Sequence, residues 1–201
     1  MTDRISINAH SSIRIEGEKT VYFDPFKITE EAHDADIIFV THAHFDHYSP
    51  EDIAKIQKSS TVLVVPESMK DQADAVYMNP GDVCEIDGIR VEAVPSYNTN
   101  KPMHPKSNGW LGYIVELGGR RIYVAGDMDA IPEAENFVCD IAMIPIGGTY
   151  TMNAAEAAEL INKMKPKTVI PTHYGAIVGE AGDGRKFAEM IDTGIETVLK
   201  I

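Results

Sequence analysis

Short apolar runs and alternating apolar and polar residues recur along most of the chain, and both patterns are typical of β-strands. Turn-forming residues such as Gly, Pro, Asn and Asp separate these runs. We predict strands at residues 4–9, 12–16, 20–24, 36–41, 61–65, 83–86, 89–95, 111–117, 121–125, 141–146, 168–171 and 195–199. Strand meanders come first and strands alternating with helices come later, which predicts an α/β protein with two sheets covered by helices on their outer faces.

Helix signals occur at fewer places. Ser49 is a favoured N-cap and Pro50 suits the first helical position, so a helix is predicted to begin there. Asn153 and Glu156 resemble a capping box at the start of another helix. Shorter helices are predicted at residues 66–73 and 183–190. Residues 96–109 form the longest irregular stretch, and loops of that length in compact domains are usually functional.

Composition and charge narrow the classes of function. The 201 residues, 44% of them hydrophobic, suit one packed domain over residues 1–201. The 18 basic and 31 acidic side chains give a formal charge of -13, which would repel a polyanion and argues against nucleic acid as a partner. With neither a signal region nor an apolar stretch of transmembrane length, we predict a cytoplasmic protein without a membrane partner. A small-molecule substrate is therefore expected, and a homo-oligomer stays open.

The segment from Thr41 to His47, Thr-His-Ala-His-Phe-Asp-His, carries the strongest chemical signal. Such a run arises by chance on the order of once in a thousand chains of this composition. Just beyond a strand end, His42 and His44 can reach one metal ion, while the turn that follows re-aims Asp46 and His47. A His-rich surface loop and histidines hydrogen-bonded in the core are the alternatives, but a divalent cation is the simplest agent that makes such crowding favourable.

This run resembles the signature of the metallo-β-lactamase superfamily. Three further segments are similar to later or earlier motifs of that family: residues 22–25 (Tyr-Phe-Asp-Pro), Gly126-Asp127, and residues 171–175 (Pro-Thr-His-Tyr-Gly). Each is short, but their order and spacing fit together along nearly the whole chain. The resemblance implies an αβ/βα four-layer sandwich of two mixed sheets, with metal ions held at one edge between the sheets.

The resemblance also implies seven ligands for two metal ions. One ion would be held by His42, His44 and His104, the other by Asp46, His47 and His173, and Asp127 would bridge both. His104 is the only histidine between the first cluster and the bridging aspartate, and the alternative for it is an ordinary loop histidine. Asp24 is expected to orient a ligating histidine from behind, the alternative being a turn-forming residue before Pro25.

Two other residues are candidates for the site. His10 lies in a segment similar to a Gly-His-Ser/Ala segment of a lactonase-like branch of the superfamily, so it would border the site; a structural histidine is the alternative. Lys101 is a candidate to attract an anionic substrate group, and ordinary polar loop composition is the alternative.

Together these features predict a lactonase-like, metal-dependent hydrolase. Two divalent ions, expected to be Zn²⁺ with Mn²⁺, Ni²⁺ or Fe as alternatives, would lower the pKa of bound water to about 7. The resulting hydroxide would attack an ester, lactone or phosphoester bond, with Asp46 orienting it or shuttling its proton and Asp127 bridging the metals. The alternatives are a non-catalytic metal-binding protein and a di-iron, oxygen-reducing protein on the same fold.

Overall fold

Two mixed β-sheets form the centre of the protein. The computed structural model describes residues 1–71 and 74–201, and within these ranges the first sheet contains six strands and the second seven. The first sheet has the order β1 (Ile5–Ala9), β2 (Ser12–Ile15), β3 (Val21–Phe23), β4 (Ala35–Phe39), β5 (Gln57–Pro66), β6 (Val76–Met78). The second runs in reverse chain order, from β13 (Glu196–Thr197) through β12 (Thr168–Thr172), β11 (Ile141–Pro145), β10 (Arg120–Val124), β9 (Leu111–Leu117) and β8 (Ile89–Pro95) to β7 (Val83–Ile86).

Both sheets change from antiparallel to parallel pairing along their width. Strands β1 to β3 pair antiparallel, and β3 to β6 pair parallel. In the same way β7 to β10 are antiparallel and β10 to β13 parallel. Parallel neighbours need crossover connections, and their carboxyl ends lie at one edge of the sheet. Loops that follow these strands are therefore brought to a common edge.

Apolar side chains fill the space between the two sheets and the space under the helices. Side chains such as Phe23, Phe39 and Tyr113 form the inter-sheet core. Helix α1 (Pro50–Ile56) covers the outer face of the first sheet, and α2 (Ala154–Met164) and α3 (Asp183–Glu189) cover the second. The four-layer αβ/βα sandwich expected from the sequence is confirmed.

The predicted caps form at α1 and α2. The Ser49 hydroxyl accepts a hydrogen bond from the Asp52 backbone N–H, 3.3 Å away. At α2, Asn153 and Glu156 make both bonds of a capping box. In the part of the chain that the structure describes, no helix has the length and apolar character needed to cross a membrane.

The structure differs from the predicted elements around β5 and β6. Strand β5 begins at Gln57 rather than residue 61, because a shift in its pairing with β4 admits the polar residues before Thr61. The helix predicted at residues 66–73 is wrong: a single 3-10 turn occupies Glu67–Met69, and residues 72 and 73 lie outside the described residues. Strand β6 has only three residues, too few for a periodic pattern to be visible in the sequence.

Candidate metal centre

The predicted site residues converge at one edge of the sandwich because each follows the end of a strand. The first sheet contributes the turn between β1 and β2, the end of β3 and the loop after β4; the second contributes the loops after β8, β10 and β12. These segments carry His10, Asp24, His42, His44, Asp46, His47, His104, Asp127 and His173, in chain order. All except His44 are buried.

Unusual backbone conformations aim several of these side chains. His10, Asp24 and His173 have positive φ values of 57°, 46° and 57°, a region that costs non-glycine residues free energy and is often found at functional sites. The backbone N–H of His173 donates to the carbonyl oxygen of His10, 3.1 Å away, and so ties the two sheets together here. Gly126, before Asp127, has a φ of 65°, and a Cβ there would lie 2.9 Å from the Leu111 carbonyl oxygen.

Nitrogen and oxygen donors form three compact groups at this edge. In each group the donor atoms lie within 4.8 Å of one another. The groups are His42, His44 and His104; His10, Asp46 and His173; and His42, His47 and Asp127. The first group has the same members as the first metal set implied by the resemblance. In the second group His10 stands where His47 was expected, although His47 Nε2 is also only 3.7 Å from Asp46 Oδ2.

Asp127 lies between histidines of both expected metal sets. Its Oδ1 is 3.3 Å from His47 Nε2, and its Oδ2 is 3.3 Å from His104 Nε2 and 3.0 Å from His173 Nε2. One carboxylate is therefore within reach of histidines of both sets.

His10 belongs to the same cluster. Its Nε2 lies 3.4 Å from Asp46 Oδ2, and its ring packs against that of His173 with centroids 3.6 Å apart. Only 2% of the residue is exposed. The structure therefore brings His10 to the site.

A second layer of polar groups fixes the orientation of two histidine rings. His47 Nδ1 lies 2.7 Å from Asp24 Oδ2, and His42 Nδ1 lies 2.9 Å from the Thr41 hydroxyl. That hydroxyl donates to the same Asp24 oxygen over 2.7 Å, so one carboxylate orients both rings. When Nδ1 is held in this way, Nε2 is left free to bind a metal ion.

His104 is held by a residue that the sequence analysis did not single out. The side-chain oxygen of Asn98 lies 2.9 Å from His104 Nδ1 and accepts the His104 backbone N–H over 3.1 Å. The only available sequence signal was a short amide side chain six residues before the histidine, in the longest loop. Trp110 was also missed; its ring packs 4.8 Å from that of His42, between centroids.

Lys101 is not presented to the donor cluster. Its ammonium group pairs with Asp129, a buried carboxylate that also accepts the backbone N–H of Thr99 over 2.8 Å. This pair fixes the loop that carries His104. The expectation that Lys101 attracts an anionic substrate group has no support in this arrangement, because the charge is already neutralised.

Burial and neighbouring charges set the ionisation of the cluster. Burial, together with the charge of His47, holds the pKa of His42 well below its usual range, so the His42 ring is neutral. Burial opposes ionisation of Asp127, but the charges of His173 and His47 outweigh it and hold the pKa of that carboxyl well below its usual range. Burial opposes protonation of His47, but the charges of Asp127 and Asp24 hold its pKa well above its usual range. Neutral imidazole and ionised carboxylate are the forms that bind a metal ion, so His47 would have to release its proton on binding one.

Several buried polar atoms of the cluster have no hydrogen-bond partner among the described residues, and this tests whether the cluster fits a metal. These atoms are both ring nitrogens of His10 and of His173, Nε2 of His47, Nε2 of His104, and Oδ1 of Asp127. Each unsatisfied buried group costs about 1–3 kcal/mol, which a bound cation would offset. Imidazole nitrogen and carboxylate oxygen suit zinc, nickel, manganese and iron. The residues therefore fit a metal centre.

Removing the Asp24 carboxylate is expected to weaken metal binding by about 10- to 100-fold. In an Asp24→Asn variant the amide cannot accept all three donors, the Thr41 N–H, the Thr41 hydroxyl and His47 Nδ1. Competition with a chromophoric chelator measures the affinity. Asp87→Asn is the matched control, because Asp87 also has a positive φ, 49°, but lies in the β7–β8 turn. Equal affinities in the two variants would show that Asp24 does not support the ligands.

This chain is similar to known proteins over most of its length. Residues 4–173 match the sequence model of the beta-lactamase superfamily domain. The chain thus belongs to the metallo-β-lactamase superfamily. A UPF0173 metal-dependent hydrolase of Pyrococcus abyssi is 32% identical, over 98% of this chain and 95% of that protein. Within the superfamily, the chain is therefore a member of the UPF0173 metal-dependent hydrolases.

Solved structures agree with this assignment. The crystal structure of a proposed metal-dependent hydrolase from Parabacteroides distasonis superposes with a TM-score of 0.85 at 30% identity, covering 97% of this chain and 91% of that one. CmlA, a diiron β-hydroxylase from Streptomyces venezuelae, superposes with a TM-score of 0.74 at 14% identity, covering 98% of this chain and 52% of that one. The second likeness concerns the fold alone.

Proposed function

We propose that this hydrolase uses two divalent metal ions to cleave an ester, lactone or phosphoester bond of a small molecule, and that both ions are Zn²⁺. The observation that carries the proposal is the position of Asp127, whose two carboxylate oxygens lie 3.0–3.3 Å from histidines of both expected metal sets. Histidines of both sets within reach of one carboxylate support two ions rather than one.

The proposed ligands fall into two sets. His42, His44 and His104 would hold one ion, Asp46, His47 and His173 the other, and Asp127 would bind both. When bound, such ions lower the pKa of water into the neutral range and polarise the oxygen of the bond to be cleaved. His10 Nε2, 3.4 Å from Asp46 Oδ2, is placed to keep that carboxylate oriented.

Asp46 is the proposed proton carrier. Its carboxylate lines the cavity over the donor cluster, and the residue is 8% exposed, so a substrate in the cavity can reach it. A carboxylate at this position can orient the attacking water, take up its proton and release that proton to the leaving oxygen. Asp24 and Asn98 act on ring orientation and take no part in proton transfer.

A substrate panel combined with metal analysis tests the proposal. We expect metal-replete protein to contain two equivalents of zinc per chain and to hydrolyse members of a panel of lactones, esters, thioesters, phosphodiesters and β-lactams. Two equivalents of metal without turnover of any member would favour a non-catalytic metal-binding protein. Iron in the purified protein, with an absorbance change on reduction, would favour the di-iron alternative, and one equivalent of metal at saturation would rule out the dinuclear site.

A further inference from the structure

An apolar rim surrounds the entrance to the donor cluster. A cavity of about 250 Å³ opens above the cluster, and donors from both expected metal sets lie on its wall. Four other residues complete its lining: Phe45, Met103, Tyr150 and Ile177. These four are 69%, 44%, 39% and 41% exposed, although large apolar side chains are normally withdrawn from water.

The rim is assembled from four separate loops. Phe45 follows β4, Met103 lies in the loop after β8, Tyr150 follows β11, and Ile177 follows β12. Loops from both sheets therefore each bring one apolar side chain to the same opening. A single exposed apolar side chain is common on protein surfaces and indicates no function. Apolar side chains clustered beside polar, reactive groups are typical of a ligand site.

The rim also lacks basic groups. Of the nine described residues that line the cavity, none is Lys or Arg. The two lysines nearest in sequence to a lining residue, Lys101 and Lys106, pair with Asp129 and Glu133. A negatively charged group on the substrate chain would thus lose its hydration against apolar walls without a lysine or arginine to pair with it.

We propose that the substrate is an uncharged ester or lactone that carries an aliphatic chain, with the chain lying against Phe45, Met103, Tyr150 and Ile177 and the scissile carbonyl over the metal-binding residues. This inference rests on the proposed function and narrows it, because it selects carboxylic esters and lactones over phosphoesters. Chain length, rather than charge, then governs recognition.

Binding of a homologous series tests the rim separately from hydrolysis. The ligands would be straight-chain alkyl hydroxamic acids of two to eight carbons, and their affinity for the metal-replete protein would be measured by calorimetry. Trp110 is the single tryptophan, and its ring lies 4.9 Å from that of His44 between centroids, so its fluorescence provides a second measure of binding. Burial of a methylene is worth about fourfold in affinity, so we expect a rise of about two- to fourfold per carbon at this partly open rim. An ω-carboxylate analogue of equal length is expected to bind on the order of tenfold more weakly.

Rim variants and a matched control locate the effect. Ile177→Ser and, on a different loop, Met103→Ser are expected to flatten the dependence of affinity on chain length. Val138→Ser is the control: Val138 is 71% exposed, and its carbonyl oxygen accepts the Arg121 side chain near the start of β10, at the far end from the donor cluster. The control should keep the wild-type dependence.

The outcomes separate this inference from the function on which it rests. Affinity independent of chain length, equal binding of the ω-carboxylate series, or an equal loss of dependence in the control would overturn the apolar rim, even if short esters are hydrolysed. A steep dependence that only the rim variants abolish would support the rim. If the corresponding alkyl esters and lactones then resist hydrolysis, the proposed hydrolytic function fails while the apolar binding site stands.

Discussion

Replacing Asp127 by alanine is expected to lower kcat/KM for any substrate of the protein by on the order of 10³-fold and to remove at least one metal ion per chain. The carboxylate contacts three histidines across both expected metal sets. Charge stabilisation by a bound metal ion is worth several kcal/mol in the transition state, and about 4 kcal/mol corresponds to a thousandfold in rate. Steady-state kinetics and elemental analysis on the same preparations measure both effects.

Two comparisons make this result specific to the carboxylate. Asp87→Asn, in the exposed β7–β8 turn, should keep both the metal content and the rate. Asp127→Asn retains the size of the side chain and removes its charge, so it should behave like the alanine variant if charge is what matters. Full activity in Asp127→Ala would contradict the proposed role of this residue, whatever its metal content.

The sequence predicted the sheets well where several apolar residues recur and poorly where they do not. Strands β7, β8 and β9 have the predicted bounds because turn residues such as Asp87-Gly88 mark their ends. The last strand, Glu196–Thr197, is shorter than predicted, since only two residues pair with β12. Pairing across a sheet depends on residues distant in the chain, and local patterns cannot show where it stops.

In the candidate site, too, residues that are adjacent in the chain could be predicted, whereas contacts between distant residues could not. The cluster from His42 to His47 is contiguous, so its residues could be chosen from the sequence alone. The bond between Asn98 and His104 and the pairing of Lys101 with Asp129 depend on how the loop folds back, which spacing does not reveal. The apolar rim could not be assembled from the sequence, because its four residues come from four loops.

Removing the metal is the other change with a large expected effect, in this case on stability. Chelation leaves buried imidazole nitrogens and one carboxylate oxygen of Asp127 without partners. A ligand present at about a thousand times its Kd stabilises the folded state by about 4 kcal/mol. For a chain of this size, about 2–4 °C per kcal/mol then predicts that Tm falls by about 8–16 °C. Differential scanning calorimetry before and after dialysis against a chelator measures the difference.

Adding metal back distinguishes loss of the ion from irreversible damage. Zinc should restore Tm in the wild type and in Asp87→Asn, because neither lacks a proposed ligand. In Asp127→Ala the metal-dependent part of Tm should shrink, since the loss of one ligand weakens the binding that provides this stabilisation. The buried donors lower the stability of the fold when no cation is bound, because they are then unpaired polar groups withdrawn from water. A bound cation would satisfy them. A Tm that does not respond to chelation and re-addition would mean that the cluster is satisfied without metal, which would remove the physical basis for a metal-dependent reaction at this edge.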